Sequence, residues 1–251
     1  MIIFQKLRTE RICVQLQELT LGQAGALCRE APDRQELTTT SMLRAVASSA
    51  IAPTPRYVTD PLLWTVQERN YLLAMYLAQV MSDGPDFTIA GEAKLSHYLD
   101  YEADLRQTST LVTTKGQPFT VYPLLGVHAQ ALETMVSNRG EWLLGAMACT
   151  VFAANEAPPD WGAMSESQVQ AWIEAKTVAM DDRPESEAEA FYLAWEGGQQ
   201  NLRHFFDLSF DDKGICFWPI KESEVGQLAP ARFRAISAVS GVTKRLYGLA
   251  D

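Results

Sequence analysis

Apolar and polar side chains alternate close to the start of the chain. Ile12, Val14 and Leu16 are separated by single residues, and a period of two is typical of a β-strand with one buried face. Thr20 follows, with Gln23 three positions later. This is the spacing of a capping box, in which a hydroxyl and an amide close the first turn of a helix. The pattern therefore predicts a strand and then a short helix.

Four longer helices are predicted in the first 155 residues. One covers residues 36–51 and ends at the prolines of residues 52–56, because proline cannot continue a helix. The next covers residues 66–81 and is apolar on nearly all sides after its first turn, which favours a central position under several neighbours. Helices over 125–138 and 141–154 are predicted as antiparallel neighbours across a short turn.

Two segments predict β-hairpins. In residues 111–124, β-branched residues flank the Lys-Gly pair at 115–116. Residues 205–210 alternate cleanly, a polar turn follows, and residues 215–220 return as the partner strand. Gly214 would supply the left-handed residue that such a turn needs.

The second part of the chain follows a proline-rich connection. Residues 156–162 contain two prolines and a glycine, and they are the predicted boundary between a lobe of residues 1–155 and a lobe of residues 156–251. Two helices are then predicted over 166–180 and 185–200.

Both of these helices begin with a capping-box spacing. Ser165 pairs with Gln168 in the first, and Ser186 pairs with Glu189 in the second. Pro230 is predicted to open a last helix, which stops at Gly248. Its apolar stripe consists of Phe233, Ile236, Val239, Thr243 and Leu246. The predicted fold is α+β and mostly helical, with an amino-terminal strand and two or three β-hairpins.

Residues 60–73 concentrate a tryptophan, a threonine, a glutamate and an arginine, so they pose the question of chemistry most directly. Thr65 and Glu68 have the spacing of a capping box, which stabilises a helix by about 1 kcal/mol. Trp64 precedes the cap, where an apolar residue can pack on the first turn. We expect a helix entrance here, without a nucleophile–base pair.

The net charge and its distribution limit the classes of partner that we expect. The 251 residues carry a formal net charge of −10, and residues 156–196 hold ten acidic against two basic side chains. Nucleic-acid binding needs a concentrated basic surface, and the chain has only a short carboxyl-terminal patch made of Arg232, Arg234, Lys244 and Arg245. The longest apolar run, residues 71–81, is shorter than the roughly 20 residues that cross a bilayer. We expect neither nucleic acid nor membrane insertion.

The first residues are a short apolar stretch followed by charge, which is the reverse of a signal peptide. We therefore expect a protein that is made and kept in a cytosol-like compartment. The four cysteines agree with this, because they are widely spaced among apolar neighbours and favour buried small side chains over ligands or disulfides. They are Cys13, Cys28, Cys149 and Cys216.

Three histidines limit acid–base chemistry. His97 and Asp100 could share a helix face, where such a pair can orient a general base or hold a metal, and a surface hydrogen bond is the alternative. His128 lies in an apolar helix and is expected to be a satisfied core imidazole. His204 precedes an aromatic strand and is expected to mark its start.

Other candidate sites are weaker. Gly22 and Gly25 lie at a predicted helix N-terminus, where backbone N–H groups can hold a phosphate, and close helix packing is the alternative. Glu156 and Asp160 could be argued as a glycosidase pair, but the chain has 31 acidic residues and two near a linker are expected by chance. We expect no catalytic, cofactor-binding or metal-binding residues, and no enzyme.

Aromatic residues are frequent in the second half. Five of the six tryptophans lie beyond residue 140, and the 205–220 hairpin carries aromatic residues on both faces. One face would then be exposed unless a partner or another subunit covers it. The alternative is a hairpin sandwiched inside the second lobe.

Four segments together resemble a group of tailed-bacteriophage proteins that are described as tail-tip or baseplate (hub) proteins, or as virion structural proteins. The segments are residues 18–28, 60–77, 83–87 and 96–104. The resemblance is best over residues 1–150 and rests on fold-forming segments. It carries no catalytic residues to this chain.

The resemblance implies a non-enzymatic subunit at the distal end of a phage tail, assembled in the host bacterial cytoplasm and present in several copies. Its partners would be a tail-tube or hub protein, the tape-measure protein and its neighbours in a ring. One alternative is a transient tail-assembly chaperone for the tape-measure protein. Another is a tail-associated peptidoglycan hydrolase.

Overall fold

The computed structural model describes residue 4 and residues 6–49, 56–221 and 227–249. Helices make up 46% and strands 17% of the protein, so the predicted α+β, mostly helical class is confirmed. The α-helices are α1 (Leu21–Arg29), α2 (Gln35–Val46), α3 (Val66–Val80), α4 (Gly126–Met135), α5 (Arg139–Thr150), α6 (Glu166–Asp181), α7 (Glu185–Asn201) and α8 (Gly241–Leu246).

The strands are β1 (Lys6–Arg8), β2 (Cys13–Leu16), β3 (Ala47–Ser49), β4 (Thr88–Ala90), β5 (Ala93–Lys94), β6 (Thr110–Thr114), β7 (Gln117–Val121), β8 (Val151–Ala153), β9 (Asp207–Asp211) and β10 (Gly214–Trp218). They form small antiparallel sheets, in the orders β1-β2-β3, β4-β5, β6-β7-β8 and β9-β10. Three short 3-10 helices cover Leu95–His97, Trp161–Ala163 and Ala235–Ala238.

The predicted amino-terminal strand is β2, the centre of a three-stranded sheet. Val14 lies opposite Leu7 of β1 and opposite Ser49 of β3. Its alternation is less strict than the pattern indicates, because Cys13 is buried together with Val14 and Leu16. Two neighbouring strands and the core therefore cover β2 on more than one side.

Two predicted helices end earlier than expected, and both end in a strand. The helix predicted over 36–51 stops at Val46, because β3 pairs with β2; residues 50–55 lie outside the described residues. The helix predicted over 141–154 stops at Thr150, because β8 pairs with β7. The carbonyls of Val46 and Thr150 each accept a hydrogen bond from a strand-side N–H, of Gln17 and Tyr122. Pairing with a distant strand overrides the local helical pattern.

Helix α3 has the central position that its apolar pattern predicts. Eleven of its fifteen residues are buried. Residues 66–70 are buried without interruption, so at about 3.6 residues per turn the buried side chains of this part lie on all sides of the helix. Helix α3 also contacts the amino-terminal segment, because the ring of Tyr76 stacks on Phe4 with 4.9 Å between the ring centroids. A helix covered on several sides is the internal support of the fold.

Both predicted hairpins form. In β6–β7 the turn residues Lys115 and Gly116 have φ angles of 49° and 78°, which is the left-handed conformation that a two-residue hairpin needs. In β9–β10, Gly214 has a φ of 106°. The antiparallel β4–β5 pair is a third, smaller hairpin.

One predicted capping box is wrong. Ser165 caps α6 as expected, with Gln168 returning to its backbone N–H. Helix α7, however, begins at Glu185 with Pro184 at the N-cap, so Ser186 lies inside the first turn. Pro184 has no N–H to donate and adopts an extended ψ of 141°, and α7 begins at the residue directly after it. Glu189 instead forms an ion pair with Lys115 of the β6–β7 turn.

The helix predicted from Pro230 onward is also wrong over most of its length. Ala231 pairs with Phe217 through two backbone hydrogen bonds of 2.9 Å, which hold it extended beside β10. A 3-10 helix and then the short α8 follow, and Ser240 caps α8. The predicted stop at Gly248 is confirmed by its φ of 77°.

The core joins segments from the whole chain. The largest cluster of buried hydrophobic residues has members on both sides of the predicted boundary at 156–162. Tyr71 stacks on Phe205 with ring centroids 4.2 Å apart, and Trp142 stacks on Phe210. The division into two lobes stays a prediction, whereas the shared core follows directly from these contacts. No helix within the described ranges is long and apolar enough to cross a membrane.

Two adjacent glycines in α7 allow a matched test of this packing. A Cβ on Gly198 would lie 2.5 Å from Val121 Cβ of β7, whereas a Cβ on Gly197 would lie 3.5 Å from Val112 Cγ1. We predict that Gly198→Ala lowers the free energy of unfolding by about 1–3 kcal/mol through overpacking. Gly197→Ala should leave it unchanged or raise it by up to about 1 kcal/mol through helix propensity. Denaturant unfolding measures both, and equal effects of the two variants would contradict this packing of α7 on β7.

Candidate functional site

The amino terminus of α3 contains the predicted capping box. Thr65 Oγ1 accepts from the Glu68 N–H at 3.0 Å, and Glu68 Oε2 accepts from the Thr65 N–H at 2.8 Å. Arg11 contacts the same carboxylate at 3.2 Å and donates to the Leu63 carbonyl at 3.1 Å. Trp64 is buried and donates from Nε1 to the Val58 carbonyl at 2.8 Å. The predicted helix entrance is confirmed.

A histidine from a distant segment completes this group. His204 Nε2 lies 2.7 Å from Thr65 Oγ1, and its Nδ1 lies 2.7 Å from the Leu202 carbonyl oxygen. A carbonyl can only accept, so Nδ1 carries the proton and Nε2 accepts from the threonine hydroxyl. Burial lowers the pKa of His204 to about 4, which keeps the ring neutral at pH 7.

This geometry corrects one expectation. A hydroxyl and an imidazole do form a hydrogen-bonded pair here, which is the local arrangement of a nucleophile and its base. Thr65 and His204 are both 0% exposed, and the Thr65 oxygen also holds the Glu68 N–H. A substrate atom would have to displace core side chains to reach that hydroxyl. The pair therefore acts as an interior brace between the start of α3 and the start of the β9–β10 hairpin.

A second buried polar group surrounds Arg69, one residue further along α3. Its Nη2 donates to the Glu36 carbonyl at 2.8 Å and to Thr40 Oγ1 at 2.9 Å, and it lies 3.4 Å from Glu36 Oε2. Burial lowers the pKa of Arg69 and raises the pKa of Glu36. Gly126 makes room for the guanidinium, because a Cβ there would lie 2.1 Å from Arg69 Nη1.

Helix α2 is capped by a side chain from α4. Glu133 accepts from the N–H of Glu36 at 2.7 Å through Oε1 and from the N–H of Leu37 at 3.3 Å through Oε2. Arg34 lies 3.6 Å from the same carboxylate. Burial raises the pKa of Glu133 to about 7. The carboxylate of Glu133 thus interacts favourably with the N-terminal end of the α2 dipole, although it belongs to another helix.

The structure does not pair His97 with Asp100. His97 Nδ1 accepts from the Lys94 N–H at 3.1 Å, and Asp100 Oδ1 accepts from the Glu102 N–H at 3.1 Å. Among the residues that the structure describes, these two side chains form no hydrogen bond with each other. Each side chain finishes its own turn, so the hydrogen-bonded His97–Asp100 pair that would orient a general base is not formed.

His128 is in the core, as expected, but only one of its nitrogens is satisfied. Nδ1 accepts from the Leu125 N–H at 3.2 Å, while Nε2 finds no hydrogen-bond partner in the described part of the chain. The ring meets Trp161 edge to face at 4.4 Å between centroids. Burial lowers its pKa to about 3, so it is neutral at pH 7.

The remaining candidates have structural contacts. A Cβ on Gly25 would meet the Tyr247 ring at 2.2 Å, so close packing of α1 on α8 explains this glycine, while the surroundings of Gly22 are open. Glu156 pairs with Lys176 at 2.6 Å. Asp160 accepts from the Gly162 N–H at 3.2 Å. The four cysteines are free and buried, as predicted. Within the described residues, no group of three or more His, Cys, Asp or Glu side chains is arranged to hold a metal ion.

The β9–β10 hairpin is mostly sandwiched, and its neighbours belong to both predicted lobes. Phe206, Phe210 and Phe217 are buried, whereas Trp218 is 44% exposed. Trp218 borders a groove of about 520 Å³ between α7 and the hairpin, which we call the α7–hairpin groove. The groove combines exposed aromatic rings with polar groups and is open to solvent. Sequence reasoning found the aromatic residues but not the groove.

No family model, curated protein or solved structure matches this chain.

The Thr65–His204 brace gives a stability prediction. Thr65→Ala removes the helix cap and leaves His204 Nε2 buried without its donor, so we expect a loss of about 2–4 kcal/mol in unfolding free energy. Thr65→Ser keeps the hydroxyl and should lose about 1 kcal/mol or less, for the missing methyl group. Thermal and denaturant unfolding of both variants provide the measurement. Equal losses in the two variants would show that the methyl group, and not the hydroxyl, carries the effect.

Glu133 gives a pH prediction. Its pKa is about 7 when folded against about 4.5 when unfolded, so the folded state binds more protons between these values and stability falls as pH rises from about 4.5 to 7. Glu133→Gln removes that titration. The difference in unfolding free energy, variant minus wild type, should therefore shift in favour of the variant by on the order of 2 kcal/mol between pH 4 and pH 8. A difference that is constant over this range would contradict the burial of an uncharged Glu133.

Proposed function

We propose that this chain is a non-enzymatic structural subunit of a bacteriophage virion, located at the distal tail in the tail tip or baseplate. The non-enzymatic part of the proposal rests on the position of Thr65, Glu68 and His204. The three residues with the most reactive-looking arrangement are fully buried and hold helix ends and chain segments together.

The virion part of the proposal rests on the resemblance of residues 18–28, 60–77, 83–87 and 96–104 to tail-tip and baseplate proteins. Residues 60–77 include the buried entrance of α3 and most of that central helix. The resemblance therefore concerns residues that determine the fold, as a structural subunit would require. Its contacts with neighbours would come from the surface.

Exposed apolar side chains offer such contacts. Leu111 on the outer strand β6 is 65% exposed, and Leu246 on α8 is 68% exposed. Val178 on α6 is exposed as well. Apolar side chains at separate places on the surface suit a subunit that touches more than one neighbour, such as a ring neighbour and a tail-tube or hub protein.

Mass spectrometry of purified phage particles tests the proposal. We expect the chain in intact particles, in a fixed ratio to the other tail components. Its presence only in assembly intermediates would favour a transient chaperone for the tape-measure protein and would reject a virion subunit. Turnover of purified peptidoglycan by the isolated protein, lost on replacement of one carboxylate, would reject the non-enzymatic assignment.

A surface variant sharpens the same test. Leu111→Asp places a charge on an exposed apolar position and should reduce incorporation into particles without changing the melting temperature. Gln107→Asp, at an exposed polar position in the preceding loop, is the matched control and should be incorporated normally. Equal incorporation of both variants would remove β6 from the proposed contact surface.

A further inference from the structure

One face of α7 forms a wall of the α7–hairpin groove. Tyr192, Trp195, Glu196, Gln199 and Gln200 follow the i, i+3, i+4, i+7, i+8 spacing of a single helix face and all line the groove. Residues 207–210 of β9 and the side chain of Trp218 form the opposite wall. The volume of about 520 Å³ lies within the range of roughly 300–1,000 Å³ for small-molecule sites.

Two carboxamides in this groove are not satisfied by the protein. Both the Oε1 and the Nε2 of Gln199 are buried without a hydrogen-bond partner in the described residues. Gln67, at the start of α3, is 2% exposed, and its Oε1 likewise lacks a partner among the described residues. A buried unpaired polar group costs about 1–3 kcal/mol. A ligand that supplies both a donor and an acceptor would recover that free energy.

The charges that line the groove sum to zero. There are two arginines and two acids among the lining residues, namely Arg139, Arg203, Glu196 and Asp207. Arg203 lies 3.6 Å from Asp207, so these two charges compensate each other. A groove without excess charge has no electrostatic preference for an anion or a cation. Its ligand is expected to be neutral.

The aromatic rings are partly open to the groove. Tyr192 is 39% exposed and Trp218 is 44% exposed. Trp195 lies between Tyr192 and Phe210, with ring centroids 6.2 Å from each. Open aromatic faces next to carboxamides suit a ligand with apolar C–H faces and polar edges.

A peptide strand fits this groove less well. Strand β9 pairs only with β10 in the described residues, so its other edge could in principle accept a strand. Arg139 blocks that edge, because its Nε donates to the Phe210 carbonyl at 3.1 Å and its backbone N–H donates to Asp212 at 3.1 Å. Backbone pairing at Phe210 would have to displace the hydrogen bond from Arg139 Nε to its carbonyl.

We propose that the α7–hairpin groove binds a neutral oligosaccharide. Each sugar hydroxyl both donates and accepts, so two adjacent hydroxyls can pair with the oxygen and the nitrogen of Gln199 once its side chain rotates toward the groove. The C–H face of a pyranose ring packs on the exposed ring of Trp218 or Tyr192. At the inner end of the groove, Gln67 Oε1 accepts a hydrogen bond from a further hydroxyl. The proposal concerns ligand binding and does not depend on the location of the chain in a virion.

The test uses the purified full chain and three neutral probes, which are maltotriose, cellotriose and triacetylchitotriose. Saturation-transfer NMR and quenching of tryptophan fluorescence measure binding, with sialyllactose as the anionic probe and hexa-alanine as the peptide probe. We expect at least one neutral trisaccharide to bind, and the two other probes to give no signal.

Three variants locate the binding. Trp218→Ala should weaken the affinity by about tenfold or more, and Tyr101→Ala, an aromatic residue that is 54% exposed and outside the groove, should leave it unchanged. Gln199→Leu has nearly the same volume and removes two unpaired polar atoms. It should weaken binding by about tenfold while raising the melting temperature. If Gln199 only stabilised the fold, its replacement would lower both the affinity and the melting temperature.

Four results would overturn the proposal. The first is that none of the three neutral trisaccharides binds, and the second is that sialyllactose or hexa-alanine binds in their place. The third is sugar binding that Trp218→Ala leaves intact, which would put the site elsewhere. The fourth is a lower melting temperature for Gln199→Leu, because that would show that the amide is paired within the protein.

Discussion

The first turn of α3 is polar and fully enclosed, and the rest of the fold depends on how that conflict is resolved. Gln67, Glu68, Arg69 and Asn70 are all at most 5% exposed. Taking charged groups out of water costs several kcal/mol per ion unless partners are in place. The partners come from everywhere else in the chain. Arg11 comes from the loop before β2, and Glu36 and Thr40 come from α2. His204, from the start of the last hairpin, contacts the capping residue Thr65. These segments must reach their native positions together, which makes the fold cooperative around α3.

Local signals in the sequence predicted local structure well. The capping boxes at Thr20, Thr65 and Ser165 involve partners three residues apart, and all three form. The two hairpin turns are determined by residues within the turns themselves. The errors occur where a distant segment competes for the same backbone. The carbonyls of Val46 and Thr150 accept hydrogen bonds from Gln17 and Tyr122, which directly follow β2 and β7 and are 29 and 28 positions away in the chain, so the helices end there. Likewise, the pairing of Ala231 with Phe217 replaces the predicted helix start at Pro230.

The site was less accessible to sequence reasoning for the same reason. Thr65 and His204 are 139 positions apart, and Glu133 caps residues 97 and 96 positions before it. No spacing rule connects residues at such separations. The spacing of Tyr192, Trp195 and Gln199 was visible as one helix face, but a helix face alone does not reveal what lies opposite. The second wall of the α7–hairpin groove exists only because the hairpin folds back against α5 and α7.

The buried polar atoms without a hydrogen-bond partner in the described residues belong either to charged or to neutral side chains, and the difference bears on where function lies. Arg69 Nε and Nη1 and Glu68 Oε1 lack hydrogen-bond partners within the described residues, yet each belongs to a charged group with an opposite charge within 3.4 Å of another of its atoms. Coulombic attraction compensates part of that cost. Gln199 is neutral and has no such compensation. Its amide therefore reduces the stability of the free protein with no return inside the fold. Gln199→Leu would remove this cost with little change in volume, so the ligand proposed for the groove is what would give the Gln199 amide its missing partners.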